Sequence, residues 1–161
     1  MTPRIEINIE KKFIGKKLTM SLVDNKTFQL FSEFMPRRKE ILNTISNDIY
    51  DLIVYPTGYF SDFNPTNIFK KWALLEVSDV VDVPNEMESF KLKSGLYAVF
   101  DYKGLSTDKS IFNYIFETWL PNSNYLIDSR PHFEILGEKY KNDDPNSEEE
   151  IWIPIKSKQP E

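Results

Sequence analysis

The chain has 161 residues, 20 basic and 25 acidic side chains, and a formal net charge of −5. At about 150 residues per domain, this length predicts one domain over residues 1–161, and an apolar content of 40% argues against disorder. The absence of cysteine excludes disulfides, a thiolate nucleophile and cysteine-ligated metal sites. No apolar run reaches the roughly 18 residues of a membrane span, and the N-terminus does not resemble a signal peptide, so we expect a cytoplasmic protein.

The acidic excess lies in the second half of the chain. Residues 81–161 carry 9 basic and 15 acidic side chains, against 11 and 10 in residues 1–80. Because phosphate binding requires Lys and Arg, we expect no direct DNA binding. The excess is compatible with a cationic ligand and equally with a solvated surface.

The first half begins with a predicted strand over residues 4–10. Its apolar and polar side chains alternate, which predicts that Ile5, Ile7 and Ile9 share a buried face. The other strands of this half are predicted over residues 16–23, 51–55 and 69–77, with a loop over 59–67.

Between these strands, apolar residues at helical spacing predict a helix that Pro36 breaks, because proline lacks an N–H and clashes with the preceding turn. The helical positions are Phe28, Phe31, Phe34 and Met35.

The second half repeats this order. A predicted strand over residues 90–102 precedes a helix that ends at Pro121 and Asn122, and strands follow over 132–138 and 149–156. The apolar stripe of that helix has the 3.6-residue period. Its members are Ile111, Phe112, Ile115, Phe116, Trp119 and Leu120.

Several residues of the two halves match at an offset of 80 residues. The matched pairs are Gly15 with Gly95, Phe34 with Tyr114, Met35 with Ile115, Pro65 with Pro145 and Trp72 with Trp152. The shared element order predicts two pseudo-repeats, at about 4–80 and 84–157. The predicted fold is α+β: duplicated strand–helix–strand–strand units form antiparallel sheets, with helices on one face and a ligand cleft between the halves.

Four segments carry a resemblance to a known family. They are FMPRRKEI at 34–41, GLYAVF at 95–100, RPHFE at 130–134 and PNSEEEIWIPI at 145–155. Together they resemble the GyrI-like small-molecule-binding domain, the effector-binding module of many AraC-type and MerR-type bacterial transcription regulators. The resemblance extends from Arg4 to Lys156. No helix-turn-helix precedes the first strand, so we expect a stand-alone member.

The resemblance implies a cleft for hydrophobic, often cationic molecules, with an acidic residue as the partner of the ligand's charge. The matching position is Glu134, and a glutamate and an aromatic residue near the last strand match Glu150 and Trp152. Binding would serve sensing or sequestration in transcription regulation or multidrug resistance. Some stand-alone members hydrolyse cyclopropane-bearing DNA-alkylating natural products, and Glu134 would be the catalytic base of such an enzyme.

Strand parity places His132, Glu134 and Leu136 on one face and Phe133 and Ile135 on the other. We expect Phe133 and Ile135 to pack on the helices and Glu134 to point into the cleft. A carboxylate among apolar neighbours is costly to desolvate unless it is paired, and a ligand cation would supply that pair.

The charge of Glu134 has a structural alternative, because Arg130, His132 or a tyrosine of the cleft could also pair with it. Aromatic side chains complete the predicted ligand site. They are Tyr97 and Trp152 as cleft walls, Trp72 as the opposite wall, and Tyr59 and Tyr140 as loop residues that close over the ligand.

We expect no cofactor and no metal. His132 is the single histidine, and zinc sites need three or four ligands. The expected partner is therefore a small hydrophobic or cationic molecule. A protein partner is the remaining alternative, with the chain acting as an inhibitor or as a sensor that docks to a separate DNA-binding protein.

Overall fold

The computed structural model describes residues 1–158, which form antiparallel strands and two helical segments. The strands are β1 Arg4–Asn8, β2 Lys11–Met20, β3 Ile49–Val54, β4 Phe69–Val77, β5 Glu88–Leu92, β6 Gly95–Lys103, β7 Tyr125–Ile127, β8 His132–Leu136 and β9 Glu148–Ser157. The first helical segment is α1 Thr27–Phe34 with a 3-10 turn, Met35–Glu40. The second is α2 Ser110–Tyr114, a π-helical turn Ile115–Trp119 and α3 Leu120–Asn122.

The sheet has the strand order β1-β6-β9-β8-β3-β4-β2-β5, and β7 pairs with the far end of β9. The order is symmetric about the central pair β3–β8. Each half of the chain forms one side of the sheet, except that its first strand, β1 or β5, lies at the outer edge of the other side. The predicted α+β class with an antiparallel sheet is therefore confirmed, and the two halves share one continuous sheet. The internal duplication itself stays a prediction.

Both helical segments lie on the same face of the sheet. Leu30 and Phe34 of α1 pack with residues of β2 and β4, while Ile111 and Ile115 of the second segment pack on β6 and β9. The opposite face carries a separate cluster rich in aromatic rings, with no helical residue in it. Its buried members are Phe13, Tyr50, Leu52, Trp72, Leu74, Leu92, Tyr97, Val99, Phe133 and Trp152.

The second helical segment follows the predicted stripe and ends at Asn122, as expected from Pro121. Pro36 likewise ends the α-helical geometry of α1, and the chain continues as a 3-10 turn because proline has no N–H to donate. Phe28 lies in α1 at the predicted helical spacing, but its side chain is 87% exposed. No helix within residues 1–158 is long and apolar enough to cross a membrane.

Two predictions about strands are wrong. Ile7 and Ile9 are 72% and 75% exposed, because β1 leaves its own half and pairs with β6 at an edge of the sheet, where no element covers it. The single strand predicted over residues 90–102 is two strands that separate after Leu92. β5 pairs with β2 while β6 pairs with β1 and β9, so the break sends each to a different side of the sheet.

Candidate ligand-binding site

A small pocket of about 40 Å³ lies on the helical face, over the two central strands. Asp51 of β3 and Glu134 of β8 form its acidic floor, and they are register partners in adjacent strands. Side chains opposite each other in a sheet lie about 5 Å apart at Cβ, so the fold holds these two carboxyl groups together. The other lining residues are Ile53, Tyr55, Phe112, Phe116, His132, Phe133, Ile151, Trp152 and Ile153.

Aromatic rings surround the approach to this floor. The ring of Tyr55 lies 4.9 Å from that of His132, and the ring of Phe60 stacks on His132 at 5.7 Å and on Phe116 at 6.3 Å. Phe60 belongs to the loop after β3, whereas Phe116 belongs to the π-helical turn. The contacts of Phe60 therefore join the loop of the first half to the helix of the second half.

The nearest cation to the floor is Lys71 of β4. Its Nζ lies 3.5 Å from Asp51 Oδ2 and donates a hydrogen bond to Thr27 Oγ1 at 3.0 Å. Asp51 Oδ1 is buried and has no hydrogen-bond partner among residues 1–158. Burial raises the pKa of Asp51 to about 6, although Lys71 acts in the opposite direction. The floor thus holds a carboxyl group whose charged form is only partly compensated.

Glu134 is the register partner of Ile151 in β9, and Glu149, two residues from Ile151 on the same face of that strand, is buried. Burial and this neighbouring carboxyl group raise the pKa of Glu134 well above its ordinary value. Burial lowers the pKa of His132 to about 3, so its imidazole is neutral at physiological pH. Arg130 does not pair with Glu134, because its guanidinium contacts Asp128 and the carbonyl oxygens of Leu96 and Ile155.

Four of the predicted site residues lie away from this floor. Trp72, Tyr97 and Trp152 belong to the aromatic cluster on the opposite face, and Tyr97 donates its hydroxyl hydrogen to Pro131 O at 2.8 Å. Glu150 accepts a hydrogen bond from Trp152 Nε1 at 2.9 Å. Trp152 is among the residues that line the pocket, but its ring stacks on the ring of Phe133 within the aromatic cluster.

The expected packing of Phe133 and Ile135 against the helices is wrong. Tyr97 and Trp72, predicted as cleft walls, and Glu150, predicted as a ligand-site residue, lie on the face of the sheet opposite Glu134. Alternation along the strands is as predicted, but the helices cover the face that carries Glu134. The reason is that both faces of these strands are apolar, so the pattern does not indicate which face the helices cover.

The two loop tyrosines lie close to the pocket. Tyr59 is buried against Tyr55, with ring centroids 4.6 Å apart, and so supports a pocket wall. Tyr140 is partly buried; burial raises the pKa of its phenol, its hydrogen bond with Ser106 lowers it, and Glu149 raises it further. Tyr59 therefore lies behind the pocket wall and supports Tyr55. The pKa of Tyr140 is raised by the negative charges of Glu149, Glu134 and Asp51.

Sequence reasoning did not identify Asp51, Lys71 or Glu149. Asp51 is a lone carboxylate between Tyr50 and Leu52 in an apolar strand, which is a signal that could have found it. Glu149 lies in a run of three glutamates, residues 148–150, and such a run is typical of a solvated turn. Within residues 1–158, no group of three or more His, Asp or Glu side chains is arranged to hold a metal ion.

The family model for Cass2, integron-associated effector binding protein, matches residues 6–155. This chain belongs to that family. Small-molecule binding is therefore its functional class, and the predicted GyrI-like effector-binding domain is confirmed. A comparison with curated proteins finds no match.

Solved structures share the fold at low sequence identity. The structure of SAV2435 bound to tetraphenylphosphonium is 17% identical, with a TM-score of 0.61, over 97% of this chain and 94% of that one. The integron cassette protein VCH_CASS2 of Vibrio cholerae is 15% identical, with a TM-score of 0.61, over 96% of each chain. The EcmrR C-terminal domain is 12% identical, with a TM-score of 0.70, over 97% of this chain and 98% of that one.

Proposed function

We propose that this protein binds a hydrophobic organic cation, with its positive charge against Glu134 and Asp51 and its apolar groups against the aromatic walls. Binding serves to sense or to sequester the cation. The observation that carries the proposal is the pair of register-matched carboxyl groups beneath aromatic rings, one of which keeps an oxygen without a hydrogen bond.

The energetic argument starts from the cost of a buried charge. An ionised carboxylate that is removed from water is unfavourable unless it is paired. The ion pair seen in the floor is that of Lys71 with Asp51, and its 3.5 Å distance is long. A ligand cation over Glu134 supplies the missing partner. The rings of Tyr55, Phe112 and Phe116 add cation–π attraction, which is worth roughly 0.5–2 kcal/mol per ring depending on desolvation.

The shared fold with the tetraphenylphosphonium-bound SAV2435 structure supports the same ligand chemistry here. Tetraphenylphosphonium is a single positive charge enclosed by four phenyl rings, so it matches an acidic floor under aromatic walls. The ring of Phe60, which is 45% exposed, stacks on His132 and Phe116, and we expect this loop and the pocket walls to move apart when a ligand of that size binds, because the pocket volume of about 40 Å³ is too small for it.

The test compares two ions of nearly equal shape and opposite charge, tetraphenylphosphonium and tetraphenylborate. We expect the phosphonium ion to raise the melting temperature and to bind measurably in calorimetry, because a ligand of the folded state stabilises it. The borate ion is expected not to bind.

The matched variants are Glu134→Gln in the floor and Glu138→Gln, which removes an exposed carboxylate four residues away. Glu134→Gln should weaken phosphonium binding at least tenfold at pH 8, whereas Glu138→Gln should leave it unchanged. Equal binding of both ions, or unchanged phosphonium affinity in Glu134→Gln, would contradict the proposal.

A further inference from the structure

The floor of the pocket has a cation of the protein's own beside it, the ammonium group of Lys71. Lys71 lies on β4, and its register partner Ile53 is two residues beyond Asp51 on β3. Because side chains two positions apart in a strand share a face, Lys71 and Asp51 are diagonal neighbours on the helical face of the sheet. Their side chains are 13% and 12% exposed, so this ion pair is largely removed from water.

Two hydrogen bonds hold that ammonium group. Lys71 Nζ donates to Thr27 Oγ1 at 3.0 Å and to Asp51 Oδ2 at 3.5 Å. Thr27 is the first residue of α1, so the shorter contact ties the ammonium group to the start of that helix. The longer contact occupies one oxygen of Asp51, while Oδ1 of the same carboxyl group has no hydrogen-bond partner within residues 1–158. Lys71 therefore holds Asp51 only weakly.

Lys71 approaches Asp51 from beside the pocket. Asp51 and Glu134 line the pocket, whereas Lys71 lies outside its lining. A ligand reaches the two carboxyl groups from within the pocket, and Lys71 reaches Asp51 from the side of α1. The ligand's cation and the ammonium group of Lys71 thus meet at one carboxyl group from different directions.

A buried lysine at such a carboxyl group has two possible roles, to position the carboxylate for the ligand or to compete with the ligand's charge. Positioning requires a short and directed hydrogen bond, and 3.5 Å exceeds the usual range of about 2.7–3.2 Å. Competition requires only that two positive charges lie close together where water screens them poorly. A cation in contact with Asp51 meets that condition, because Lys71 Nζ is within 3.5 Å of the same carboxyl group. The geometry favours competition.

We infer that Lys71 competes with the ligand for Asp51 and thereby limits the affinity of the pocket for organic cations. The inference rests on the proposed function. In the empty protein the ammonium group compensates part of the negative charge of the floor. In the complex the same positive charge repels the ligand. Lys71 is therefore a specificity-determining residue, since it acts on the charge of a ligand and not on its apolar groups.

The experiment is isothermal titration calorimetry at pH 8 with two probes, tetraphenylphosphonium and triphenylphosphine oxide. The oxide carries three phenyl rings on phosphorus and no net charge. Lys71→Met removes the ammonium group and keeps an unbranched apolar side chain, and we expect it to bind tetraphenylphosphonium about tenfold more tightly than wild type, or more. Its behaviour toward the oxide, whether binding or absence of binding, should equal that of wild type.

Two further variants control for charge and position. Lys71→Arg keeps the positive charge, so its affinity for tetraphenylphosphonium should stay close to that of wild type. Lys70→Met removes the exposed lysine that precedes Lys71 on β4, and its affinity should also be unchanged. Lys71→Gln is neutral and keeps a donor for Thr27 Oγ1, so it should reproduce the gain in affinity and decides the matter if Lys71→Met does not fold.

The outcomes separate this inference from the proposed function. Weaker binding of tetraphenylphosphonium by the neutral variants would show that Lys71 positions Asp51, and unchanged binding would show that it does not act on the ligand. An equal gain for the neutral oxide would show that the substitution changes the space in the pocket and not its charge. Each of these results would overturn the competition and leave the proposed function standing, whereas absence of tetraphenylphosphonium binding in wild type and in every variant would overturn both.

Discussion

Asp51 is predicted to destabilise the folded protein at neutral pH, and Asp51→Asn should relieve that cost. Burial raises the pKa of Asp51 from 3.8 to about 6 in the folded state. Each pKa unit corresponds to 1.36 kcal/mol, so ionisation of Asp51 costs the folded state about 3 kcal/mol. Below pH 3.8 the carboxyl group is protonated in both states and the cost is absent. The cost grows as the pH rises toward 6 and is complete above it.

We therefore expect Asp51→Asn to match wild type near pH 4 and to be about 3 kcal/mol more stable at pH 8. For a chain of this size, that gain corresponds to a rise in Tm of roughly 6–12 °C. Urea unfolding followed by circular dichroism at pH 4, 5, 6, 7 and 8 measures it. Asp62→Asn, which removes an exposed carboxylate, should show no pH-dependent gain. A gain that does not change with pH, or a loss at pH 8, would refute the assignment of a buried, uncompensated charge to Asp51.

Three other substitutions test the role of Phe60, the close packing of two strands in the sheet, and which face of the sheet binds the ligand. Phe60→Ala removes the ring that stacks on the pocket residues His132 and Phe116, and we expect tetraphenylphosphonium to dissociate about tenfold faster in stopped-flow fluorescence; an unchanged rate would show that Phe60 does not retain the ligand. Gly15→Ala would drive a Cβ into the backbone carbonyl of Ala73, and we expect a loss of about 3 kcal/mol or more in urea unfolding. A loss below about 1 kcal/mol would show that the strands can separate there. Tyr97→Phe deletes the hydrogen bond to Pro131 O on the far face and should cost about 1 kcal/mol of stability while leaving ligand affinity intact, whereas a tenfold loss of affinity would return Tyr97 to the site.

The order of elements could be predicted because each depends on local chemistry. The strand over Phe69–Val77 and the helical stripe ending at Pro121 follow from side-chain periodicity and from the missing N–H of proline. The edge position of β1 could not be predicted in the same way. Its alternating isoleucines satisfy the pattern of a half-buried strand, but the partner strand β6 lies about ninety residues away in sequence and places them at an open edge.

The acidic floor could be predicted only in part for the same reason. The resemblance to the GyrI-like domain led to Glu134, and the structure places that residue in the pocket. Asp51 enters the site through its pairing with Glu134 across the centre of the sheet, and Glu149 lies on β9 two residues from Ile151, the register partner of Glu134. Both contacts are set by strand register between distant segments, which no local pattern in the chain encodes.

The site and the stability of the fold are linked through the same carboxyl groups. Asp51 and Glu149 are buried and Glu134 is half-buried; burial raises the pKa of Asp51 and of Glu134, so their charged forms cost the folded state free energy that Lys71, 3.5 Å from Asp51, compensates only in part. A cation that occupies the pocket removes that cost, so the stabilisation by ligand should grow with pH over the range in which the empty site loses stability. An aromatic cavity without the acids would be more stable when empty and would not distinguish tetraphenylphosphonium from tetraphenylborate. Under the proposed function, the cost in stability and the selectivity for positive charge have one physical origin.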